Sequence, residues 1–445
     1  MARAAARWKL LAAVVAAVLA ATGVLVVVHL RPTPRLYSEG IAVGTHGDAV
    51  PIQPRTRGRF VPGTSYFVAT TRAVHGRYAE PTASGVRESR AWLQRSGRVL
   101  AYGGYSELVE RALLDLRLST AGNGALMASP QGPWRYVWPR DAAFAVAALS
   151  ATGHHDDAER ILSFLLDVCP ARGVWQARYL VNGSGRVPDE RPTQLDSSGW
   201  VPWATWVWFT TSPHSAHARA LLARLWPIVA RSADAAAGPS GDPALPAPSS
   251  DYWEMREKKV TLGTVGPLVV GLRAAAALAR ATGHGVQAAR WSDSSRRLAG
   301  TVAQTFGMHG YPRTMPDGGA DAAVTFLAPP FTAPSGAMSK AVADTASLLS
   351  VPNGGVRPGT AWVGDGAWTP EVALFALAAA GVGDRRQAAT RLDWLGRHRT
   401  STGTVAEKVG PDGRPLSVAP LAWTDALVVL SVAKLATNLD LAPPA

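Results

Sequence analysis

The sequence predicts an all-α protein, a closed α/α toroid of helical hairpins preceded by an N-terminal transmembrane helix and a short irregular stalk. Alanine- and leucine-rich stretches separated by glycine turns run from about residue 105 almost to the C-terminus. The link ATGH at 151–154 recurs at 281–284, each time between an apolar and a polar helical stretch. Residues 10–30 form an apolar run long enough to cross a bilayer as a helix.

The first segment, residues 1–31, is interpreted as a membrane anchor or signal sequence. Arg3, Arg7 and Lys9 precede the apolar run at 10–30. A cleaved signal peptide has a shorter apolar stretch that ends in small residues, so an uncleaved anchor is the favoured interpretation. Because basic residues precede the span, we expect a single-pass protein of the cell membrane with its catalytic domain outside the cytoplasm. A secreted protein is the alternative.

Residues 32–100 are rich in Pro, Gly, Thr and Arg and include short β-prone pieces such as SYFVATT at 65–71. This composition predicts a stalk with a small packed segment, followed by the helical domain at 101–440. The helical hairpins of that domain have no short fixed period, and long irregular loops separate them. This pattern favours a closed toroid whose loops at one end build a site. An open helical array is the alternative.

The charge and cysteine content exclude several classes of function. Formal charge is 45 − 32 = +13, but the basic residues are mostly arginines scattered through the chain, which favours a solvated surface over a nucleic-acid site. Cys169 is the only cysteine, so neither an intramolecular disulfide nor a thiolate metal cluster can form. The ten histidines lack a metal-ligand spacing. We therefore expect no metal, no cofactor and no nucleic-acid partner.

Two glutamates, Glu254 and Glu407, lie in loop-like settings far apart in the chain. Glu254 belongs to DYWEMRE at 251–257, after a flexible Gly/Pro/Ser stretch at 237–250, and Glu407 belongs to GTVAEKVGPDG at 403–413. Hydrolysis of a glycosidic bond requires such a pair: one carboxylic acid protonates the departing oxygen, and a carboxylate on the opposite face activates water or attacks the sugar. The aromatic flanks of Glu254 favour the acid, whereas the polar, glycine-rich surroundings of Glu407 favour the carboxylate.

Aromatic and charged residues combine in WRYVWPRDAAF at 134–144, directly before an apolar helix. An aromatic face such as that of Trp138 can lie flat on a pyranose, while Arg140 and Asp141 supply donors and an acceptor for vicinal hydroxyls. The same pattern fits a helix N-terminus with Asp141 as an early-turn anion and with core aromatics. A second polar and aromatic segment is LAWTDA at 421–426.

Three segments in order, YVWPRDAAFAVAAL, DYWEMRE and AEKVGPDGRPLSVAPLAWTDA, resemble the successive signatures of glycoside hydrolase family 15, which includes glucoamylases, glucodextranases and bacterial trehalase-like enzymes. The resemblance runs from about residue 105 to 437. It implies an (α/α)6 toroid that cleaves glycosides from a non-reducing end with inversion. By motif, Glu254 matches the general acid and Glu407 the general base. The candidate substrate-binding residues are Trp138, Arg140, Asp141, Trp253, Arg357, Trp368 and Trp423.

The chain departs from the family pattern at two places. Lys408 stands where a glutamine usually follows the base, and we expect this change to alter how the catalytic water is held. The family's RYP-x-D pattern is shortened at 357–360 and lacks its acid, which changes the sugar subsite.

The sequence therefore predicts an inverting, exo-acting glycoside hydrolase that releases glucose from the non-reducing end of α-glucosides. Trehalase or glucodextranase specificity on the same scaffold is one alternative. Others are a catalytically inactive toroid that binds envelope glycans, and a polysaccharide lyase or phosphorolytic enzyme of the same fold class. As partners we expect an oligo- or polysaccharide substrate and, through the N-terminal helix, the membrane. The protein is expected to be a monomer.

Overall fold

The computed structural model describes residues 35–70, 76–213, 215–238 and 245–445. Leu36–Ala445 form one compact unit. The transmembrane helix expected at 10–30 lies outside the described residues. Among the described residues, one helix, Leu262–Ala281, is long and apolar enough to span a membrane, but 89% of its apolar window is buried inside the protein. That helix therefore belongs to the core.

Helices make up most of the described chain and are numbered in chain order. They are α1 (Ala83–Gln94), α2 (Gly97–Leu100), α3 (Ser106–Ser119), α4 (Pro139–Ala151), α5 (His155–Asp167), α6 (Ser197–Thr211), α7 (Ala216–Ala237), α8 (Leu262–Ala281), α9 (Gly285–Thr305), α10 (Gly336–Leu348), α11 (Thr369–Gly381), α12 (Arg385–Arg397) and α13 (Ala422–Ala436). Short 3₁₀ helices are Gly103–Tyr105, Gly132–Trp134, Gly307–His309 and Ala322–Leu327.

From α3 onward the helices alternate between an outer and an inner layer. The inner helices α4, α6, α8, α11 and α13 are buried along nearly their whole length, whereas outer helices such as α5, α9 and α12 bury one side. Each inner helix packs against the next inner helix along the chain, and the 3₁₀ helix Ala322–Leu327 takes the place between α8 and α11. The last inner helix, α13, packs against the first, α4. The ring is closed, which confirms the α/α toroid and excludes the open array.

One inner position of the ring is a 3₁₀ helix instead of an α-helix. Asp321 caps Ala322–Leu327, and its carboxylate accepts a hydrogen bond from the backbone N–H of Ala323 at 2.8 Å. Pro329 and Pro330 follow closely, and because proline lacks the N–H donor a helix needs, the element cannot continue. All of its residues are buried, so the short element still fills its place in the ring.

The glycine turns expected between hairpin helices are present. Gly153 lies between α4 and α5 with φ of 78°, and Gly283 lies between α8 and α9 with φ of 77°. Gly383, with φ of 78°, occupies the same position between α11 and α12. A residue with a Cβ is strained at such angles, which explains why glycine ends each of these three helices.

Inner helices α6 and α8 approach each other at two glycines, Gly199 and Gly271. A Cβ at Gly199 would lie 2.1 Å from the carbonyl oxygen of Pro267, and one at Gly271 would lie 2.3 Å from the carbonyl oxygen of Gly199. These are backbone atoms, which cannot move aside as a flexible side chain does. Helices α6 and α8 can therefore pack this closely because neither glycine carries a side chain.

We expect Gly199→Ala to destabilise the protein by about 1–3 kcal/mol, because its methyl group would push two packed helices apart. The matched control is Gly300→Ala in α9, where an added Cβ meets nothing within 4 Å. Since alanine is the better helix former, that control should be neutral or stabilising by up to about 1 kcal/mol. Urea unfolding followed by tryptophan fluorescence measures both, and equal midpoints for the two variants would contradict the close-packing argument.

The segment predicted as a stalk is more ordered than its composition indicates. Strands β1 (Gly40–Val43) and β2 (Ala49–Ile52) form one antiparallel pair, and β3 (Gly58–Phe60) and β4 (Phe67–Ala69) form another. The Ser38 hydroxyl donates to the Ala419 carbonyl at 2.8 Å, and the backbone N–H of Tyr37 donates to the Ser417 carbonyl at 2.6 Å. The start of this segment therefore packs on the loop before α13.

A small antiparallel sheet lies at the site end of the toroid. Its strands β5 (Ala367–Trp368), β6 (Lys408–Val409) and β7 (Pro415–Leu416) pair in that order. The turn between β6 and β7 contains Gly413 with φ of 79°, and Asp412 accepts from the backbone N–H of Arg414 at 3.1 Å. This sheet joins the start of α11 to the segment that carries Glu407.

Candidate active site

A cavity of about 310 Å³ opens where the inner helices α4, α11 and α13 begin. This volume is at the small end of the range for ligand pockets. Eight of the nine site residues proposed from the sequence line it: Glu254, Glu407, Trp138, Arg140, Asp141, Trp253, Trp368 and Trp423. The structure thus brings together segments that are up to about 290 residues apart in the chain.

Arg357, the ninth proposed residue, does not line this cavity. Its neighbour Pro358 is fixed by its carbonyl oxygen, which accepts from the backbone N–H of Ala322 at 2.9 Å and from the Tyr252 hydroxyl at 3.3 Å. The next residue, Gly359, lies under Trp253, where a Cβ would meet the indole ring at 2.5 Å. The shortened loop therefore supports Trp253 with its backbone instead of presenting Arg357 to the site.

Glu254 lies on the turn that precedes α8, and two side chains fix its carboxylate. The indole N–H of Trp138 donates to Oε1 at 2.5 Å, and the guanidinium of Arg191 contacts Oε2. The backbone of Glu254 has φ of 59°, in the left-handed region that non-glycine residues rarely adopt. Backbone strain of about 1–3 kcal/mol at a single residue is typical of functional sites.

The surroundings of Glu254 differ from the apolar setting that the sequence suggested. Trp138 and Trp253 are present, but the side chain of Met255 points to solvent, with 54% of the residue exposed. The charged group nearest the carboxylate, Arg191, comes from the irregular segment before α6, which the sequence analysis did not connect to the site.

The turn that carries Glu254 is anchored by the buried Arg313. Its guanidinium contacts Asp251 at 2.9 Å, Asp321 at 3.0 Å and Glu257 at 2.6 Å, and lies 3.8 Å from the centre of the Trp253 ring. Burial by itself lowers the pKa of Arg313, but the charges of Asp251 and Asp321 outweigh burial and raise its pKa. Arg313 is therefore held as a cation that ties the turn to the start of the 3₁₀ helix.

Glu407 immediately precedes β6, and its carboxylate is held at both oxygens. The indole N–H of Trp134 donates to Oε1 at 3.2 Å, and the hydroxyl of Ser417 donates to Oε2. The ammonium of Lys408 lies 3.8 Å from Oε2 and 3.9 Å from the centre of the Trp368 ring. The residue that departs from the family pattern thus lies between the proposed base and an aromatic wall of the cavity.

Arg140 and Asp141 form the buried floor of the cavity at the start of α4. The guanidinium of Arg140 lies 3.2 Å from Asp141, 3.8 Å from Asp196 and 4.5 Å from the centre of the Trp423 ring. Burial raises the pKa of Asp141, and raises that of Asp196 to about 7, although Arg140 opposes both shifts. Two nitrogens of Arg140, Nε and Nη1, have no hydrogen-bond partner among the described residues. They are donors that a ligand hydroxyl could use.

Further residues that the sequence analysis did not propose as site residues also line the cavity, among them Arg178, Arg191, Trp362 and Glu371. Arg178 and Arg191 both contact Asp189 in the irregular segment between α5 and α6. Such a segment has no periodicity from which its contacts could be inferred. Glu371 had a usable signal, because AWTPE at 367–371 repeats the spacing of VWPRD at 137–141, with tryptophan three residues before the acid.

A second, larger cavity of about 1040 Å³ lies beside the C-terminus of α7. Gly238 and Leu245 line this cavity, and residues 239–244 between them lie outside the described part of the chain. Of the residues known to line it, Glu257 is the single carboxylate. The described lining therefore holds one acid, whereas glycoside hydrolysis requires a pair.

Comparison with known proteins identifies relatives of both sequence and fold. The family model described as "Glycosyl hydrolases family 15" matches residues 103–200. An uncharacterized glycosyl hydrolase of Methanocaldococcus jannaschii is 26% identical over 205 residues, which cover 45% of this chain and 31% of that protein. The match thus spans about a third of the length of this curated relative.

The similar solved structures include glycosidases. A glycosidase variant in complex with glucose has a TM-score of 0.64 at 20% identity, over 77% of this chain and 98% of that one. A bacterial glucoamylase complexed with acarbose has a TM-score of 0.63 at 18% identity, over 80% of this chain and 59% of that one. Identities this low establish the fold alone.

The closed ring of helical hairpins places the protein in the fold class of the glucoamylase-like toroids, and a small pocket of tryptophans and carboxylates lies at one end of the ring. Within that class, the resemblance of the chain to glycoside hydrolase family 15 is confirmed by the family model over 103–200.

Proposed function

We propose that this protein is a member of glycoside hydrolase family 15 that hydrolyses α-glucosidic bonds from the non-reducing end with inversion. The observation that carries the proposal is the meeting of Glu254 and Glu407, from two distant loops, in one cavity of about 310 Å³. Aromatic rings and the Arg140–Asp141 pair line the same cavity, in keeping with a site for one terminal sugar. Its small volume favours an exo-acting enzyme over one that binds the middle of a chain.

In the proposed mechanism Glu254 protonates the glycosidic oxygen, and Glu407 removes a proton from the water that attacks the anomeric carbon. The contacts of Glu407 fit a base, since Trp134, Ser417 and Lys408 all present hydrogen-bond donors or positive charge to its carboxylate. The buried Arg140 and Asp141 fix the vicinal hydroxyls of the sugar being cleaved.

We also propose that residues 1–31 anchor the protein in the cell membrane, with the toroid outside the cytoplasm. The proposal rests on the apolar run at 10–30 and on the basic residues before it.

One contact favours a second candidate, a toroid that binds glycans without cleaving them. The guanidinium of Arg191 lies against the carboxylate of Glu254 and stabilises its negative charge. A general acid must instead carry a proton. In a hydrolase the glycosidic oxygen therefore has to displace Arg191 from Glu254, whereas in a glycan-binding protein the ion pair can persist.

The experiment that tests the proposed function follows the anomer of the first product. The full-length protein in detergent micelles is incubated with maltose, isomaltose and trehalose, and proton NMR spectra are recorded before mutarotation. From maltose and isomaltose we expect an excess of β-glucose over the anomeric mixture that the reducing-end glucose supplies, since inversion converts the cleaved α-linkage into a β-product. Trehalose should give one β-glucose from the attacked sugar and one α-glucose from the leaving sugar. An excess of α-glucose from maltose or isomaltose, or α-glucose alone from trehalose, would contradict inversion, and saccharide binding without any released glucose would establish the second candidate.

A further inference from the structure

Glu371 occupies the same place on helix α11 that Asp141 occupies on helix α4. Trp138 is the N-cap of α4 and Asp141 follows three residues later; Trp368 is the N-cap of α11 and Glu371 follows three residues later. Both tryptophans and both acids line the cavity of about 310 Å³. Two inner helices of the ring therefore present an equivalent tryptophan and acid to the same pocket.

The two acids differ in their charged partners. Asp141 lies 3.2 Å from the guanidinium of Arg140, whereas Glu371 forms no ion pair within the described part of the chain. Glu371 is 1% exposed, as buried as Asp141 at 2%, and its Oε2 has no hydrogen-bond partner among the described residues. A buried carboxyl oxygen without a partner carries a large desolvation cost.

The groups around Glu371 favour its neutral form. Burial raises the pKa of Glu371 to about 8. A hydrogen bond from its own backbone N–H opposes this rise, the negative charges of Asp321 and Glu407 increase the pKa further, and the positive charge of Arg140 lowers it. Tyr252 is a further neighbour whose own pKa is raised by burial and, in part, by Glu371. Near pH 7 the group is therefore mainly a carboxylic acid, with one O–H to donate.

We infer that Glu371 is a specificity-determining residue that donates a hydrogen bond to one hydroxyl of the terminal sugar. The inference rests on the proposed function, since it requires a sugar in this cavity. In this arrangement Glu371 donates to one hydroxyl of the sugar, whereas Asp141 accepts from another. If Glu371 had a purely structural role, a methionine of similar shape could replace it. The Glu371→Met protein, which lacks the unpaired oxygen, would then bind the sugar as well as the wild type does.

A substrate lacking one hydroxyl tests the contact. The full-length protein in detergent micelles is assayed with p-nitrophenyl α-glucoside and with its monodeoxy analogues, each lacking one ring hydroxyl. Against one analogue, the wild type should lose roughly ten- to a hundredfold in kcat/KM, because a buried donor is left unpaired. Glu371→Met should have about the same low kcat/KM on p-nitrophenyl α-glucoside as on that analogue, so the preference for this hydroxyl disappears. Glu371→Gln, which retains an N–H donor, should restore most of the preference.

Two controls separate this role from general effects of burial. Asp425 is a buried acid near the start of α13 whose pKa burial also raises, and it does not line the cavity. Asp425→Asn should therefore leave the discrimination among the analogues unchanged. Glu371→Gln should also keep its preference for this hydroxyl above pH 8, where the wild type loses the preference because Glu371 ionises and no longer donates.

Binding measurements distinguish failure of this inference from failure of the proposed function. Quenching of tryptophan fluorescence by glucose and by the monodeoxyglucoses is recorded for the wild type and for Glu371→Met. If the wild type hydrolyses the glucoside but both proteins discriminate equally among all analogues, the role of Glu371 is wrong and the hydrolase stands. If the wild type neither hydrolyses the glucoside nor binds glucose, the proposed function is wrong and the inference falls with it.

Discussion

Replacing either proposed catalytic carboxylate by its amide, Glu254→Gln or Glu407→Gln, is expected to reduce kcat on maltose at least roughly a thousandfold. Glutamine has nearly the same shape and keeps hydrogen-bonding groups, so the contacts with Trp138 and Trp134 can persist and the fold should be retained. An amide, however, can neither release a proton to the departing oxygen nor take one from water. The measurement is the rate of glucose release, with circular dichroism as the check on folding.

A substrate with a different leaving group separates the two roles. Fluoride departs without protonation, so Glu254→Gln should hydrolyse α-glucosyl fluoride at a rate close to that of the wild type. Glu407→Gln should remain inactive on it, because the attacking water still needs a base. Glu88→Gln, at an exposed position on α1, is the control and should match the wild type on both substrates. Near-wild-type hydrolysis of maltose by either catalytic variant would reject the assignment of that residue.

Sequence reasoning located the residues whose role is marked by their immediate neighbours. Trp138, Arg140 and Asp141 stand at the start of an apolar helix, and Trp423 stands at the start of another. In a closed ring of hairpins the starts of alternate helices meet at one end, so local patterns at these positions predicted a shared pocket. The ring itself followed from the glycine turns such as Gly153, which the structure confirms.

Contacts made by irregular segments could not be predicted in this way, because they depend on the path of the backbone between the helices. Arg191 reaches Glu254 from a segment without helical or strand periodicity, and the position of Arg357 depends on how the backbone of Pro358 is anchored. Glu371 was missed for another reason: an acid in the first turn of an apolar helix is the ordinary complement of the helix dipole. The spacing that AWTPE shares with VWPRD could have placed Glu371 at the site, but its burial and its unpaired oxygen are known only from the structure.

The buried Arg313 is expected to be the most important single residue for the stability of the acid-bearing turn. Arg313→Met should lower the free energy of unfolding by about 3–5 kcal/mol, because removal of the cation leaves buried carboxylates without their partner. Asp251 and Asp321 are fully buried, and burial raises the pKa of Asp321 even with Arg313 present. Without Arg313 these groups must take up protons or admit water, and either change disrupts the turn next to Glu254.

Urea unfolding of Arg313→Met and of a surface control tests this expectation. Arg296→Met removes an exposed arginine that pairs with Asp293 on α9, and it should change stability by less than about 1 kcal/mol. If Arg313→Met is as stable as this control, the ion pairs of Arg313 do not stabilise the turn that carries Glu254. If it is destabilised, the remaining folded protein should also lose activity, because Arg313 lies on the face of Trp253, directly before the proposed acid. Stability and catalysis are then coupled through one buried cation, whose carboxylate partners lie outside the proposed chemistry.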